Sequence, residues 1–253
     1  MRRAAHLLLL AGTIEAREMA HYLSMRSSGS PELRVTASLA GVTANPEPLA
    51  IPTRTGGFGG VAGLAEWVRS EQVTMIIDMT HPYATQMSKH AIDAARQTSV
   101  SHIRFERACW MPEPGDRWQS FKNWQDMIEA VPAGAHVFVA GGSKMLSRCL
   151  WRDDIIITAR ALHRPYDIPD RITVVLSLPK DTVEEERAML QSHNITHIFC
   201  KNSGGKAARA KIDAARMLGL EVWMLERPNL PKAASVSSLK NLQKSVETHL
   251  SRD

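Results

Sequence analysis

His6-Leu-Leu-Leu-Leu-Ala-Gly-Thr-Ile-Glu-Ala16 joins an unbroken apolar run to a glycine, a hydroxyl and a helix-forming stretch. Apolar residues at every position, without alternation, mark a strand buried on both faces, as in a parallel sheet. A secretory leader does not fit. The run from Leu7 to Ala11 is short for one, and Glu15 and Arg17 follow directly. The stretch therefore predicts a first central strand, a tight turn and a first helix.

The same unit recurs along the chain. Strands are expected at His6–Ala11, Leu33–Ala40, Val73–Asp78, Ser101–Phe105, His136–Ala140, Ile155–Ala159, Ile172–Leu176, Thr196–Lys201 and Glu221–Leu225. Helices are expected at Ile14–Met25, Val61–Glu71, Tyr83–Gln97, Trp124–Val131, Ser143–Trp151, Thr182–His193 and Lys206–Leu218, the last stopped by Gly219. Strands alternating with helices define an α/β protein of βαβ units with parallel sheets. The Pro/Gly signal at Val131-Pro-Ala-Gly134 predicts a boundary between two groups. The expected domains are 1–132 and 133–228, followed by an extended linker and C-terminal helix at 229–253. Glu226-Arg-Pro-Asn-Leu-Pro231 disfavours helix, and Val236, Leu239, Leu242, Val246 and Leu250 then form one apolar helix face. That face is expected to dock on the body of the protein.

Composition narrows the partners. The 253 residues carry 31 Lys plus Arg against 26 Asp plus Glu, a surplus of +5. With 44% hydrophobic and 23% charged residues, the chain is globular rather than disordered. The surplus favours an anionic partner without naming it. The basic residues are spread along the chain, with no basic arm and no aromatic RNA-binding motif, so nucleic acid is not expected. No stretch nears the roughly 20 apolar residues that span a bilayer, so no membrane role is expected and a cytoplasmic location is. Cys109, Cys149 and Cys200 are scattered, with no CxxC pair. His193 and His197 are separated by an expected helix end at Asn194. No metal site is predicted.

The chemistry should lie where strands turn into helices, because ligands of open α/β sheets bind outside the carboxyl ends of the strands. Gly12 permits close approach, and Thr13 caps a helix whose N–H groups suit a phosphate. A plain tight turn explains these two equally well. Gly56-Gly-Phe-Gly-Gly60, with Arg54 before it, has more glycine than a simple turn needs and suits an anion. Ser38-Leu-Ala-Gly41 lacks the carboxylate that reads the ribose hydroxyls of NAD, so a nicotinamide cofactor bound here would be NADP. Asp78-Met-Thr-His-Pro-Tyr-Ala84 brings Thr80, His81 and Tyr83 to one strand end. Lys201-Asn-Ser-Gly-Gly205 repeats that arrangement in the second group, and Ala140-Gly-Gly-Ser-Lys144 does so more weakly. Several such junctions in two α/β groups suggest one ligand cleft between two domains.

These junctions, with Leu9–Arg17 and Arg104-Phe-Glu-Arg-Ala-Cys-Trp110, resemble the precorrin-6A reductase family of cobalamin biosynthesis. The resemblance runs in order from residue 7 to about residue 228. It implies two Rossmann-like domains with the site between them. It also implies reduction of a ring double bond of the anionic tetrapyrrole precorrin-6A by NADPH, giving precorrin-6B. Under it, Gly12, Thr13, Ser38, Arg54, Gly57, Gly59 and Thr80 become the cofactor residues. Lys144, Asn202, Ser203 and Gly204 become the substrate residues, and His81, Tyr83 and Lys201 the catalytic ones. The chain departs from the family where a Thr-Gly-Arg-like element is usual. Lys144 there offers a point charge without the arginine fork. A monomer is the expected state. The alternatives are the cobalt-precorrin-6A reductase of the oxygen-independent pathway and a non-catalytic two-domain binder of anionic metabolites.

Overall fold

β1, Ala5–Ala11, is buried along its whole length, and its unbroken apolar run makes it the centre of a sheet. The computed structural model describes residues 4–41, 47–164, 168–206 and 208–251, with nothing assigned to the side chains of Ser143 and Lys144. After β1 come α1 (Ile14–Ser28), β2 (Leu33–Leu39), β3 (Thr53–Thr55), α2 (Gly60–Ser70), β4 (Met75–Met79), α3 (Thr85–Thr98) and β5 (Ser101–Phe105). Next are β6 (Arg117–Phe121), α4 (Trp124–Ala130), β7 (His136–Val139), α5 (Ser143–Cys149), β8 (Ile156–Ala161) and β9 (Thr173–Leu176). The chain ends with α6 (Val183–Ser192), β10 (His197–Lys201), α7 (Ala210–Leu218), β11 (Glu221–Leu225), β12 (Ser235–Val236) and α8 (Leu239–Leu250).

Among the described residues the strands form two six-stranded sheets, both parallel throughout. The first runs β3-β2-β1-β4-β5-β12 and the second β9-β8-β7-β10-β11-β6. Each therefore has the doubly wound order, with its switch point between β1 and β4 or between β7 and β10. In the first unit Leu7, Leu9 and Ala11 pack on Ala16, Met19, Ala20 and Leu23 of α1. Leu8 and Leu10 face the other way, onto Leu64 and Val68 of α2 and Ala91 and Ala94 of α3. In the second unit Phe138, Ile198, Cys200, Val222 and Met224 pack with Leu190 of α6 and Ile212 of α7. Side chains of Thr13, Asn123, Thr182 and Ser238 each cap the helix that follows by accepting a backbone N–H.

The division of the chain lies elsewhere than the Pro/Gly signal at 131–134 suggested. One unit comprises residues 1–107 and 229–253, the other 108–228. The reason is that β6 and α4 belong to the second unit. β6 lies beside β11, in register from Arg117 opposite Glu221 to Phe121 opposite Leu225. Arg117 and Glu221 are ion-paired there at 2.7 Å. The Pro- and Gly-containing loop from Glu106 to Arg117, not the turn at 131–134, carries the crossing. The terminal segment, expected as a linker and a docking helix, belongs to the first unit. β12 pairs with β5, and α8 seats Leu242 and Val246 in the first core. The expected docking of that helix is onto α1, where Glu247 meets Arg26 and Tyr22.

Candidate active site

The carboxyl edge of the first sheet collects most of the expected cofactor residues. β1 ends at Ala11 and β4 at Met79, and their loops touch. A Cβ added to Gly12 would lie 3.2 Å from His81 N and 3.3 Å from Thr80 Cα. A side chain at position 12 would press on the second loop, which would have to give by a few tenths of an ångström. Thr13 ties the same loops together: its hydroxyl donates to the Met79 carbonyl at 3.1 Å and accepts from Ala16 N at 3.2 Å. Gly12, Thr13, Thr80 and His81 therefore share the switch point. Glu15, in the first turn of α1, would repel an anion there. Arg107 pairs with it at 2.6 Å and offsets that charge.

Two strands away, Arg54 leaves β3 beside the end of β2. Its Nη1 donates to Ser38 Oγ at 2.8 Å and to the Gly56 carbonyl at 2.9 Å, and its Nη2 donates to the Gly57 carbonyl at 3.0 Å. Its guanidinium lies 3.8 Å over the Phe58 ring. Burial lowers its pKa, with no carboxylate beside it as a cause. A guanidinium held by carbonyls, a hydroxyl and an aromatic face keeps its positive charge for an incoming anion. The glycines around it have a backbone reason as well. Gly56, Gly59 and Gly60 all have positive φ, at 110°, 78° and 90°, where side chains are strained. Gly57 does not. The glycine richness that suggested a ligand is thus largely a requirement of the turn.

His81 and Tyr83 occupy a turn closed by the hydrogen bond from Ala84 N to the His81 carbonyl at 2.7 Å, so α3 begins at Thr85 and not at Tyr83. Their rings lie 5.7 Å apart. The Tyr83 N–H donates to His81 Nδ1 at 3.3 Å, which puts the proton of the neutral imidazole on Nε2. Beside them, at the ends of β4 and β5, lies a buried polar layer. Asp78 is 1% exposed, and its Oδ1 accepts from the Thr80 N–H and hydroxyl. Its Oδ2, His102 Nε2 and Arg104 Nε and Nη1 are buried with no hydrogen-bond partner among the described residues. Asp78 and Arg104 are opposite each other in register across β4 and β5. The signal for Asp78 was available: a carboxylate one residue from the end of an otherwise apolar strand.

In the second unit the expected group divides. Lys201 ends β10 and is half-buried. Asn202 is occupied otherwise than expected. Its Oδ1 accepts from Trp110 N at 2.8 Å, and its Nδ2 donates to the Trp110 carbonyl at 3.0 Å. It is a clamp on the chain segment that enters this unit, a structural part beside the substrate contact expected of it. Trp110 itself donates from Nε1 to the Gly205 carbonyl at 2.9 Å, and Arg227 donates to the Asn202 carbonyl at 2.8 Å. Ser203 N donates to the Lys201 carbonyl at 2.7 Å, and Gly204 and Gly205 take positive φ. α7 starts only at Ala210, so Ser203 and Gly204 do not lie at its N-terminus, contrary to the expected start at Lys206. Lys144 stands in the first turn of α5, and its side chain lies outside those described. Lys211 is buried, and its Nζ donates to the Ala208 carbonyl at 2.7 Å and lies 5.2 Å from the centre of the Trp110 ring. Desolvation lowers its pKa. Nothing in the local sequence distinguished it from a surface lysine.

Among the described residues no group of three or more His, Cys, Asp or Glu could hold a metal ion, and no helix is long and apolar enough to cross a membrane.

Comparison with known proteins identifies a family. Residues 6–247 match the model of the family described as precorrin-6x reductase CbiJ/CobK. The chain is 37% identical over 247 residues to the precorrin-6A reductase of Rhodobacter capsulatus, covering 96% of each. It is 38% identical over 239 residues to that of a Sinorhizobium species, covering 92% of this chain and 88% of the other. The cobalt-precorrin-6A reductase of Priestia megaterium is 25% identical over 250 residues, with 93% and 96% covered. A solved structure of the CobK precorrin-6A reductase superposes with a TM-score of 0.89 at 36% identity, covering 97% of both chains.

Proposed function

The chain belongs to the precorrin-6x reductase family, and from that premise we propose that it reduces a ring double bond of precorrin-6A with NADPH as the hydride source. The greater identity to precorrin-6A reductases than to a cobalt-precorrin-6A reductase supports precorrin-6A over its cobalt complex. The observation that carries the cofactor half is the edge of the first sheet. There a switch point stands beside a guanidinium held by Ser38 Oγ and two glycine carbonyls, with no carboxylate at the end of β2. Such an edge suits a dinucleotide with a 2′-phosphate.

The residues take their parts in order along that edge. Arg54 and Ser38 hold the 2′-phosphate. The capped start of α1 at Thr13 receives the pyrophosphate, with Glu15 neutralised by Arg107. When bound, the dihydronicotinamide supplies the hydride. His81, with its proton on Nε2, and Tyr83 are the donors on this unit that deliver a proton or stabilise charge. Lys201, at the end of β10, is the cation offered to a substrate carboxylate, and Asn202, Ser203 and Gly204 follow it in the same loop as the further substrate residues. The three cysteines are all unpaired, which supports a reducing, cytoplasmic setting.

The test is direct. Purified protein given precorrin-6A and NADPH should lose dihydronicotinamide absorbance in step with formation of a dihydro product. NADPH oxidation that does not depend on precorrin-6A, or equal use of NADH, would overturn the assignment.

A further inference from the structure

Thr80 lies at the end of β4, and the direction of its hydroxyl is set by its neighbours. Asp78 Oδ1 accepts from the Thr80 N–H at 3.0 Å and lies 2.8 Å from the Thr80 hydroxyl oxygen. A carboxyl oxygen already accepting an N–H serves as acceptor to the hydroxyl too, so the hydroxyl hydrogen points at Asp78. That holds whether or not Oδ2 carries a proton. Thr80 Oγ1 also lies 3.2 Å from Ser88 Oγ on α3. With the Thr80 hydrogen committed, Ser88 is the donor in that pair.

A hydroxyl oxygen has one hydrogen and two lone pairs. Here the hydrogen goes to Asp78 and one lone pair to Ser88. A single lone pair remains. Asp78 and Ser88 are buried and Thr80 is half-buried, so Thr80 is the member of the three that a bound group can reach. Its position separates it from the anion end of the edge. Thr80 adjoins Gly12 at the switch point, whereas Arg54 stands on β3. Three strand spacings lie between β4 and β3, on the order of 14 Å.

We infer that Thr80 is a specificity-determining residue of the cofactor site, accepting a hydrogen bond from an N–H or O–H group of the nicotinamide nucleoside. Phosphate and carboxylate oxygens have no hydrogen to give it and are turned away. The inference rests on the NADPH reading and adds which end of the dinucleotide lies over β4. Two parts of the cofactor carry such donors, the carboxamide and the ribose hydroxyls.

The test measures dissociation constants by fluorescence or calorimetric titration, without turnover. Thr80→Val keeps the shape and loses the acceptor. It should weaken NADPH about two- to tenfold, the range of one hydrogen bond. Thr80→Ser should restore binding. The fragment 2′,5′-ADP, which has no nicotinamide nucleoside, should bind all three proteins alike, which also shows that the variants are folded. The 3-acetylpyridine analogue of NADPH lacks the amide donors, and 2′-phospho-ADP-ribose lacks the nicotinamide but keeps its ribose. Loss of the Thr80→Val effect with the analogue assigns the carboxamide. Persistence of the effect with phospho-ADP-ribose assigns the ribose. Equal weakening of 2′,5′-ADP and NADPH, or no weakening of either, overturns the inference. A wild-type protein that binds none of these ligands overturns the NADPH reading instead.

Discussion

Asn202 closes on the main chain of Trp110 at both ends of its amide, accepting the N–H at 2.8 Å and donating to the carbonyl at 3.0 Å. The pairing copies a strand ladder with a side chain, and it fixes the segment through which the chain enters the second unit. Asn202→Ala leaves a half-buried N–H and carbonyl without partners, a cost of about 2–4 kcal/mol in all. Chemical denaturation should show that loss, while the affinity for NADPH stays unchanged. A variant of normal stability with a raised KM for precorrin-6A would show that Asn202 acts in the substrate site instead.

Arg54 governs a different quantity. Its guanidinium is the positive charge at the end of β2 and β3, and a charged hydrogen bond contributes about 1.5–3 kcal/mol. Arg54→Ala should weaken NADPH by about ten- to a hundredfold and leave NADH almost untouched. The ratio of kcat/KM for the two cofactors is the measurement. A parallel loss for both would show that Arg54 only shapes the glycine turn.

Four histidines, His6, His102, His136 and His197, have pKa values lowered by burial. His6 is the clearest. Its Nδ1 donates to the Glu71 carbonyl at 2.8 Å, and its Nε2 lies 2.8 Å from the Thr36 hydroxyl, which donates to it when the ring is neutral, the form that burial favours. A base with a depressed folded pKa binds its proton more readily when unfolded. Stability is therefore full above the ordinary pKa of about 6.5 and falls as pH drops from there toward the folded values. Denaturant midpoints measured from pH 7.5 down to about 5.5, above most carboxylate titration, should hold to about 6.5 and decline below it. A flat or rising profile in that window would contradict the neutral assignment of these rings.

The central strands were legible because burial on both faces leaves an unbroken apolar run, and β1, β5 and β11 lie within a residue of where the run places them. The missed strands β3, β6 and β12 are all at or beside a crossing or an edge. Arg117-Trp-Gln-Ser-Phe121 is mostly solvent-facing, and its strand character comes from pairing with β11, about 100 residues away in sequence. Missing β6 also moved the expected domain boundary. The site was legible in outline, because strand ends are where polar residues interrupt apolar runs. The direction of a hydrogen bond was not. Residue type alone cannot tell an Asn that reads a ligand from one that mimics a strand, nor a Thr free to donate from one held by a buried Asp78.

The last helix allows two forces to be compared at one contact. Glu247 receives Arg26 through Nε at 2.7 Å and Nη2 at 2.9 Å, and the Tyr22 hydroxyl at 2.5 Å. Burial and then the Glu247 bond push the Tyr22 pKa up to about 12. The Arg26 and Glu247 side chains are 37% and 39% exposed, so solvent screens their attraction to about 1 kcal/mol or less. Leu242 and Val246, on the same helix, are fully buried in the first core. Leu242→Ala should cost about 2–5 kcal/mol through the lost transfer and the cavity left behind. Glu247→Gln should cost far less, while bringing the Tyr22 ionisation back toward its ordinary value in an absorbance titration. Comparable losses from the two substitutions would mean that the ion pair, and not the apolar face, holds α8 against α1.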